Sequence, residues 1–170
     1  MAGDLAYDNG TAPDVFTRYL RNYSTAMVDA KHRLIPMITC ISNHEVVGGY
    51  QALREKSPHY LSLFDGLFAE RTFNTLDFGD YLSLVLLDTD QIAPIEGEQT
   101  AWLSKTLSDR EEVPHLLVAN HVPAYPSYRP RQGQNGKTGT GELQRKLWAP
   151  LFEKFKVDGV LEHHDHTYRI

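Results

Sequence analysis

Apolar positions along the 170-residue chain recur at helical spacing in some segments and as short continuous runs in others. In residues 13 to 31, PDVFTRYLRNYSTAMVDAK, the apolar positions Val15, Phe16, Tyr19, Leu20, Tyr23 and Met27 follow Pro13 at helical intervals and predict a helix. LIPMITCI, residues 34 to 41, is a compact apolar run with β-branched residues, and it predicts a buried strand that empties into the polar loop SNHEVVGGY. A short helix is expected around residues 58 to 68. In TFNTLDFGDYLSLVLLDTD, Phe78-Gly79-Asp80-Tyr81 reads as a turn between two paired strands, and the second, LSLVLLD, is expected to be central. EGEQTAWLSKTLSD, residues 96 to 109, predicts a helix with Ala101, Leu103 and Leu107 on its apolar side. HLLVAN predicts another buried strand, residues 124 to 140 a long irregular loop, and Glu142 to about Lys156 a further helix. VDGVLE is the last strand expected, delivering HHDHTYR. Repeated strand, loop and helix units of this kind predict a layered α/β fold with functional loops at strand ends. With neither repeats nor an evident linker, a single domain over residues 1–170 is expected.

Composition narrows the possibilities. At 41% hydrophobic and 11% aromatic residues the chain can bury one sizeable core. A formal net charge of −5 argues against a general electrostatic grip on nucleic acid or on an anionic membrane, so a phosphate-bearing partner must be held locally. No run reaches the roughly 18 apolar residues that span a bilayer, and the opening MAGDLAYDNG lacks the apolar core of a signal peptide. Cys40 is the only cysteine, which excludes an internal disulfide and a cysteine-based zinc cluster.

The predicted organisation gathers polar groups at four strand-to-loop exits: Asp4 with Tyr7, Asn43 with His44, His121, and His164 with His166. An extended His-x-His backbone would send both imidazoles to one side, where they could reach neighbouring metals. Carboxylate, phenolate, amide oxygen and imidazole, without thiolate, form a ligand set suited to iron, manganese or zinc.

The blocks GDLAYDNG (3 to 10), SNHE (42 to 45), VANH (118 to 121) and HHDHTYR (163 to 169) resemble, in order, GDxxY, GNHE, VxxH and GHxH. On these residues the chain resembles a calcineurin-like metallophosphoesterase of the purple acid phosphatase branch, the tyrosine of GDLAY pointing to that branch. The resemblance implies a β-sandwich flanked by helices, incomplete here at both ends. It implies a phosphoester hydrolase, most readily an acid phosphatase acting on phosphomonoesters through a metal-bound hydroxide. The cofactors implied are two metal ions, iron(III) with iron(II), zinc or manganese. Asp4 would bridge them, Tyr7 and His166 would belong to the iron(III) site, and Asn43, His121 and His164 would hold the divalent ion. His44 would be catalytic, facing the substrate rather than a metal. Arg129, Arg131 and Tyr128, by position after His121, are expected to contact the rest of a phosphate ester. Glu45 and Asp165 are expected to orient neighbouring imidazoles. His32, His59 and His115 fall outside the blocks and are read as surface or packing residues. Family members are often secreted, while the oligomeric state is left open.

Two departures concern turns, Ser42 and His163 standing where the resembled blocks have glycine. A third is chemical: no Asp-x-Gly or Asp-x-His precedes Gly3, whereas the family opens on such a block and draws another iron ligand from it. The alternative function is therefore an inactive or degenerate metallophosphoesterase fragment, binding one metal or none and serving as a structural or binding module.

Overall fold

A computed structural model describes residues 1, 3–7, 10–128 and 139–166. Three Leu- and Val-containing runs and the more polar NTLDF form a four-stranded sheet in the order β1 (Asn74–Phe78), β2 (Leu82–Leu86), β3 (His115–Ala119), β4 (Gly159–Leu161). β1 and β2 are the expected hairpin, antiparallel around Gly79, whose φ of 59° suits a residue without a Cβ. β2, β3 and β4 then run parallel, so the tips of all three open toward the same edge of the sheet. LSLVLLD is internal, as its continuous apolar character predicts.

Period-two alternation sorts the strand side chains onto two covered faces. On one face Val85 and Leu87 with Leu116 and Val118 pack against Ile95, Leu103, Leu107, Trp148 and Phe155. These come from α4 (Thr100–Ser108), α5 (Thr140–Leu147), α6 (Ala149–Lys154) and the turns beside them. Trp148 is fully buried and satisfies its indole N–H by donating to Thr100 Oγ1 at 2.8 Å. On the other face Leu86 and Ala119 meet Cys40, Ile41, Val46, Tyr60, Leu61 and Phe68. The layered α/β expectation thus holds, with one sheet flanked by helical and irregular layers among the described residues. None of the helices described is long and apolar enough to cross a membrane.

Boundaries shift for local reasons. The N-terminal helix runs through α1 (Ala12–Asp14), a π-helical stretch Val15–Leu20 and α2 (Arg21–Ala26), then stops at Met27 instead of reaching residue 31. There the chain turns back through an isolated bridge between Val28 and Leu34. The predicted helix 58–68 is α3 (Pro58–Leu63). Helix 96–109 begins at Thr100, because Glu96 and Gly97 have non-helical backbone angles. The helix expected from Glu142 is divided between α5 and α6 at Trp148, two residues before Pro150.

The strand predicted for 34–41 does not form a ladder. The segment is extended and its end is buried; among the described residues its start is bridged to the Met27–Val28 turn, Ile35 N donating to Met27 O at 2.9 Å, and its end meets Met1, which donates from its N-terminal nitrogen to Ile38 O at 2.7 Å and accepts from Cys40 N at 3.2 Å. Gly3, at φ 86°, then turns the chain away.

The edge strand β1 is tied to α4 by Arg110, which donates from Nε and Nη2 to Asp77 at 2.9 and 2.8 Å. These bonds hold the Asp77 carboxyl down at about 2. A carboxylate depressed in the folded state stabilises above its ordinary value and loses that contribution as pH falls toward 2. The pair is half exposed, so solvent screening keeps its worth to about 1 kcal/mol or less. Urea titrations should therefore show Asp77→Asn less stable than the parent by about that amount at neutral pH, the gap closing between about pH 4 and 2. A gap that widens on acidification would contradict the assignment.

Candidate metal centre

Two backbone turns and two strand tips build the site. Gly3 and Asp4 both take left-handed angles, φ 86° and 57°, which swing the Asp4 carboxylate toward the open edge of the sheet. Asn43, His44 and Glu45 form one 3-10 turn capped by Ser42, with the Ser42 and Glu45 side chains closing a reciprocal capping box. His121 follows β3 by two residues and is fully buried. His164 follows β4 at φ 63°, and Asp165 N donates to His163 O at 2.7 Å across it. This is a γ-turn of the rare positive-φ kind, a strained conformation held in the candidate site.

His121 Nε2 is the hub. It lies 2.9 Å from Asn43 Oδ1, 3.0 Å from His164 Nδ1 and 3.5 Å from Asp4 Oδ1. One ligand atom from each of Asp4, His121 and His164 falls within 4.8 Å of the others. A single Nε2–H can serve one of these neighbours, whereas a cation at their centre would take a lone pair from each. Beside this group Tyr7 OH lies 3.4 Å from His166 Nε2, and the Tyr7 ring sits 4.4 Å from that of His44. Asp4, Tyr7, His164 and His166 line an open cleft of about 430 Å³ with Gly3 and His163. Burial, and then the carboxylates of Asp4 and Glu45, push the Tyr7 phenol above its ordinary value.

All seven site residues expected from the sequence are thus neighbours, but not for the expected reason in every case. Only β3 and β4 supply true strand tips; Asp4 and Asn43 arrive on turns. His164 and His166 reach the cleft around a γ-turn, not along extended backbone. The bulky residue at 163 is tolerated because the left-handed angle falls on His164. Ser42 is equally at ease, with φ −131° and ψ 175°.

Glu45 orients backbone rather than imidazole. Its Oε1 accepts from Leu5 N and Ala6 N at 2.7 and 3.3 Å, and its Oε2 from Asp4 N and Ser42 N, both at 3.1 Å. Burial pushes its carboxyl up, while these donors pull against that rise. Asp165 holds the loop after His121, accepting from Ser127 N and Tyr128 N at 2.8 and 3.2 Å. Tyr128 is 85% exposed, and Arg129 and Arg131 lie outside the described residues. His32, His59 and His115 are on the surface, as expected.

The sequence matches a family model, calcineurin-like phosphoesterase, over residues 1–168. The chain belongs to the calcineurin-like phosphoesterase family. Relatives that it resembles include purple acid phosphatases. It is 39% identical to the purple acid phosphatase of Glycine max over 72 residues, which are 41% of this chain and 14% of that protein. It is 38% identical over 72 residues to an Arabidopsis thaliana relative named Fe(3+)-Zn(2+) purple acid phosphatase 12, again 41% of this chain and 14% of the other. A solved purple acid phosphatase from yellow lupin (Lupinus luteus) seeds superposes with a TM-score of 0.61 at 20% identity, covering 96% of this chain and 29% of that one. The chain therefore spans a minor part of the length of each.

Sequence reasoning overlooked the capping role of Ser42 and Glu45 and, altogether, two further residues around the candidate site. The Ser-x-x-Glu spacing of Ser42 and Glu45 is a capping-box signature readable without coordinates. Gln144, buried in α5, had no such signal. Its Nε2 donates to Val122 O at 2.8 Å and its Oε1 accepts from Asn120 Nδ2 at 3.3 Å, clipping the chain on both sides of His121. Tyr50, whose hydroxyl lies 3.4 Å from His164 Nε2, was likewise not visible from spacing.

Proposed function

We propose that the chain is the metal-binding part of a phosphoester hydrolase of the acid phosphatase type, acting on phosphomonoesters. The observation that carries this reading is the convergence of an amide oxygen, an imidazole and a carboxylate on His121 Nε2. In the assignment proposed, Asp4 would be shared by two cations, Tyr7 and His166 would serve an iron(III) ion, and Asn43, His121 and His164 would hold a divalent ion, iron, zinc or manganese. Such a cation pair supplies charge that binds phosphoryl oxygens and acidifies a water.

The residues have distinct tasks around it. Tyr7 is partly buried and flanked by the Asp4 and Glu45 carboxylates, and burial first and these charges second push its phenol up; as a phenolate it would be a hard, anionic ligand suited to iron(III). His121 and His164 present one nitrogen each from positions locked by the strand tips. His44 is held against the Tyr7 ring beside the cleft, where its imidazole can orient a phosphoryl group or protonate the departing alcohol. The open cleft leaves room for an ester on the side of Asp4, Tyr7 and His166.

Loading the purified chain with iron(III) and zinc and measuring both by elemental analysis tests the assignment. Two metals per chain are expected, with a phenolate-to-iron absorption band that Tyr7→Phe removes. The donors are unevenly shared, four around His121 and three on the Tyr7 side when Asp4 is counted in both, so a one-metal outcome has a structural basis. One metal per chain, with no band dependent on Tyr7, would overturn the two-metal reading.

A further inference from the structure

The Ser42 hydroxyl is completely buried, and its hydrogen-bond partners are Asp4, His44 and Glu45. A hydroxyl accepts at two lone pairs and donates once. Asp4 N and His44 N approach Ser42 Oγ at 2.9 and 3.3 Å and fill the acceptor positions. Two carboxylate oxygens compete for its hydrogen: Asp4 Oδ1 at 2.6 Å and Glu45 Oε2 in still closer contact. Glu45 already receives four backbone N–H groups, from Asp4, Leu5, Ala6 and Ser42. Asp4 Oδ1 has no comparable set of backbone donors among its described contacts, so the hydroxyl hydrogen is worth more there.

The oxygen gripped in this way is the one turned toward the hub. Asp4 Oδ1 is also the atom 3.5 Å from His121 Nε2. Oδ1 is thereby tied to the protein through Ser42 while it lies beside the His121 imidazole. The Asp4 backbone sits at φ 57°, and its N–H donates to the same Ser42 Oγ, so main chain and side chain are fixed from one point. Ser42 Cβ packs directly on Gly3, which leaves the serine little freedom to swing away.

We propose that Ser42 is a positioning residue for Asp4, its hydroxyl holding Oδ1 in the direction that completes the donor set around His121. The inference rests on the reading of Asp4 as a metal ligand. Partners that orient a ligand are typically worth 10- to 100-fold in metal affinity. Loss of the hydroxyl should therefore weaken zinc binding at the His121 group by about 10-fold or more. The effect should vanish when Asp4 has no carboxylate to hold.

A double-mutant cycle separates these possibilities. Zinc dissociation constants are measured by competition with a chromophoric chelator for the parent, Ser42→Ala, Asp4→Ala and the double variant, with thermal melts confirming that each is folded. Ser42→Gly is run in parallel, since it removes the hydroxyl while giving Gly3 more room. The expected result is a loss of about 10-fold from either Ser42 change in the parent and little change in the Asp4→Ala background. A loss of equal size in both backgrounds means that Ser42 merely supports the loop, and overturns the inference. No loss in either background overturns it too. Unchanged zinc affinity in Asp4→Ala alone would instead sink the ligand reading beneath it.

Discussion

Replacing His121 by alanine should abolish metal retention at the centre and, with it, any hydrolysis of a chromogenic phosphomonoester. Its Nε2 is the common neighbour of Asn43 Oδ1, His164 Nδ1 and Asp4 Oδ1, at 2.9, 3.0 and 3.5 Å. Alanine removes the central donor and leaves three groups with no shared focus. Residues that only orient a ligand already cost 10- to 100-fold in affinity, so loss of the ligand itself should exceed about 100-fold. Mass action gives a second readout. Zinc at about 100 times its dissociation constant stabilises a single-site protein by about 2.7 kcal/mol. For a chain of this size that corresponds to a rise in melting temperature of about 5–11 °C. The parent should show the rise and His121→Ala should not. His59→Ala, an exposed position outside the four blocks, should behave as the parent does. A variant lacking His121 that still binds zinc at parental affinity would remove this residue from the centre, and the hydrolase reading would lose the observation it stands on.

What could be read from the chain before its structure follows from how each signal is encoded. Strands β2 and β3 were visible because their apolar runs are largely buried, and the half-exposed β1 because the Phe78-Gly79-Asp80-Tyr81 turn pairs it with β2. The four ligand-bearing blocks were visible because each keeps its chemistry within a few consecutive positions. The 34–41 segment misled because burial and strand pairing are separate requirements. Cys40 and Ile41 pack into the core, while among the described residues they lie in no strand ladder and Cys40 N pairs with Met1 O. The His-x-His argument failed at His164, since a left-handed residue cancels the period-two alternation it assumed. Long-range polar supports were the least legible. Gln144 reaches across 22 residues to Val122, and Glu45 across 40 to Leu5, and no local pattern announces such a pairing.

Gly3→Ala should be the most damaging single-methyl addition in the site, lowering stability by about 3 kcal/mol and weakening zinc binding together. Two independent penalties act at this position. The backbone is at φ 86°, in the left-handed region where an L side chain costs about 1–2 kcal/mol. A Cβ there would come to 2.3 Å from Ser42 Cβ and 3.1 Å from His121 Nδ1, and overpacking of a close-packed position adds about 1–3 kcal/mol. Neither neighbour can yield freely. Ser42 is bound to Asp4 and Glu45, and the buried His121 follows β3 in a loop clipped by Gln144. The melting temperature should fall by about 6–12 °C without metal, with the zinc-induced rise reduced as well, because the residues displaced are those that aim Asp4 and His121. Gly48→Ala provides the comparison. Its φ of 97° carries the same backbone penalty, but its Cβ would meet nothing within 4 Å, so it should lose only the conformational part and keep its response to zinc. Equal losses in the two variants would mean that backbone strain alone fixes the glycine at position 3. A larger loss at Gly3, accompanied by weakened zinc binding, would show that the GD turn, the serine and the buried histidine are packed as one unit around the place where the metal is proposed to sit.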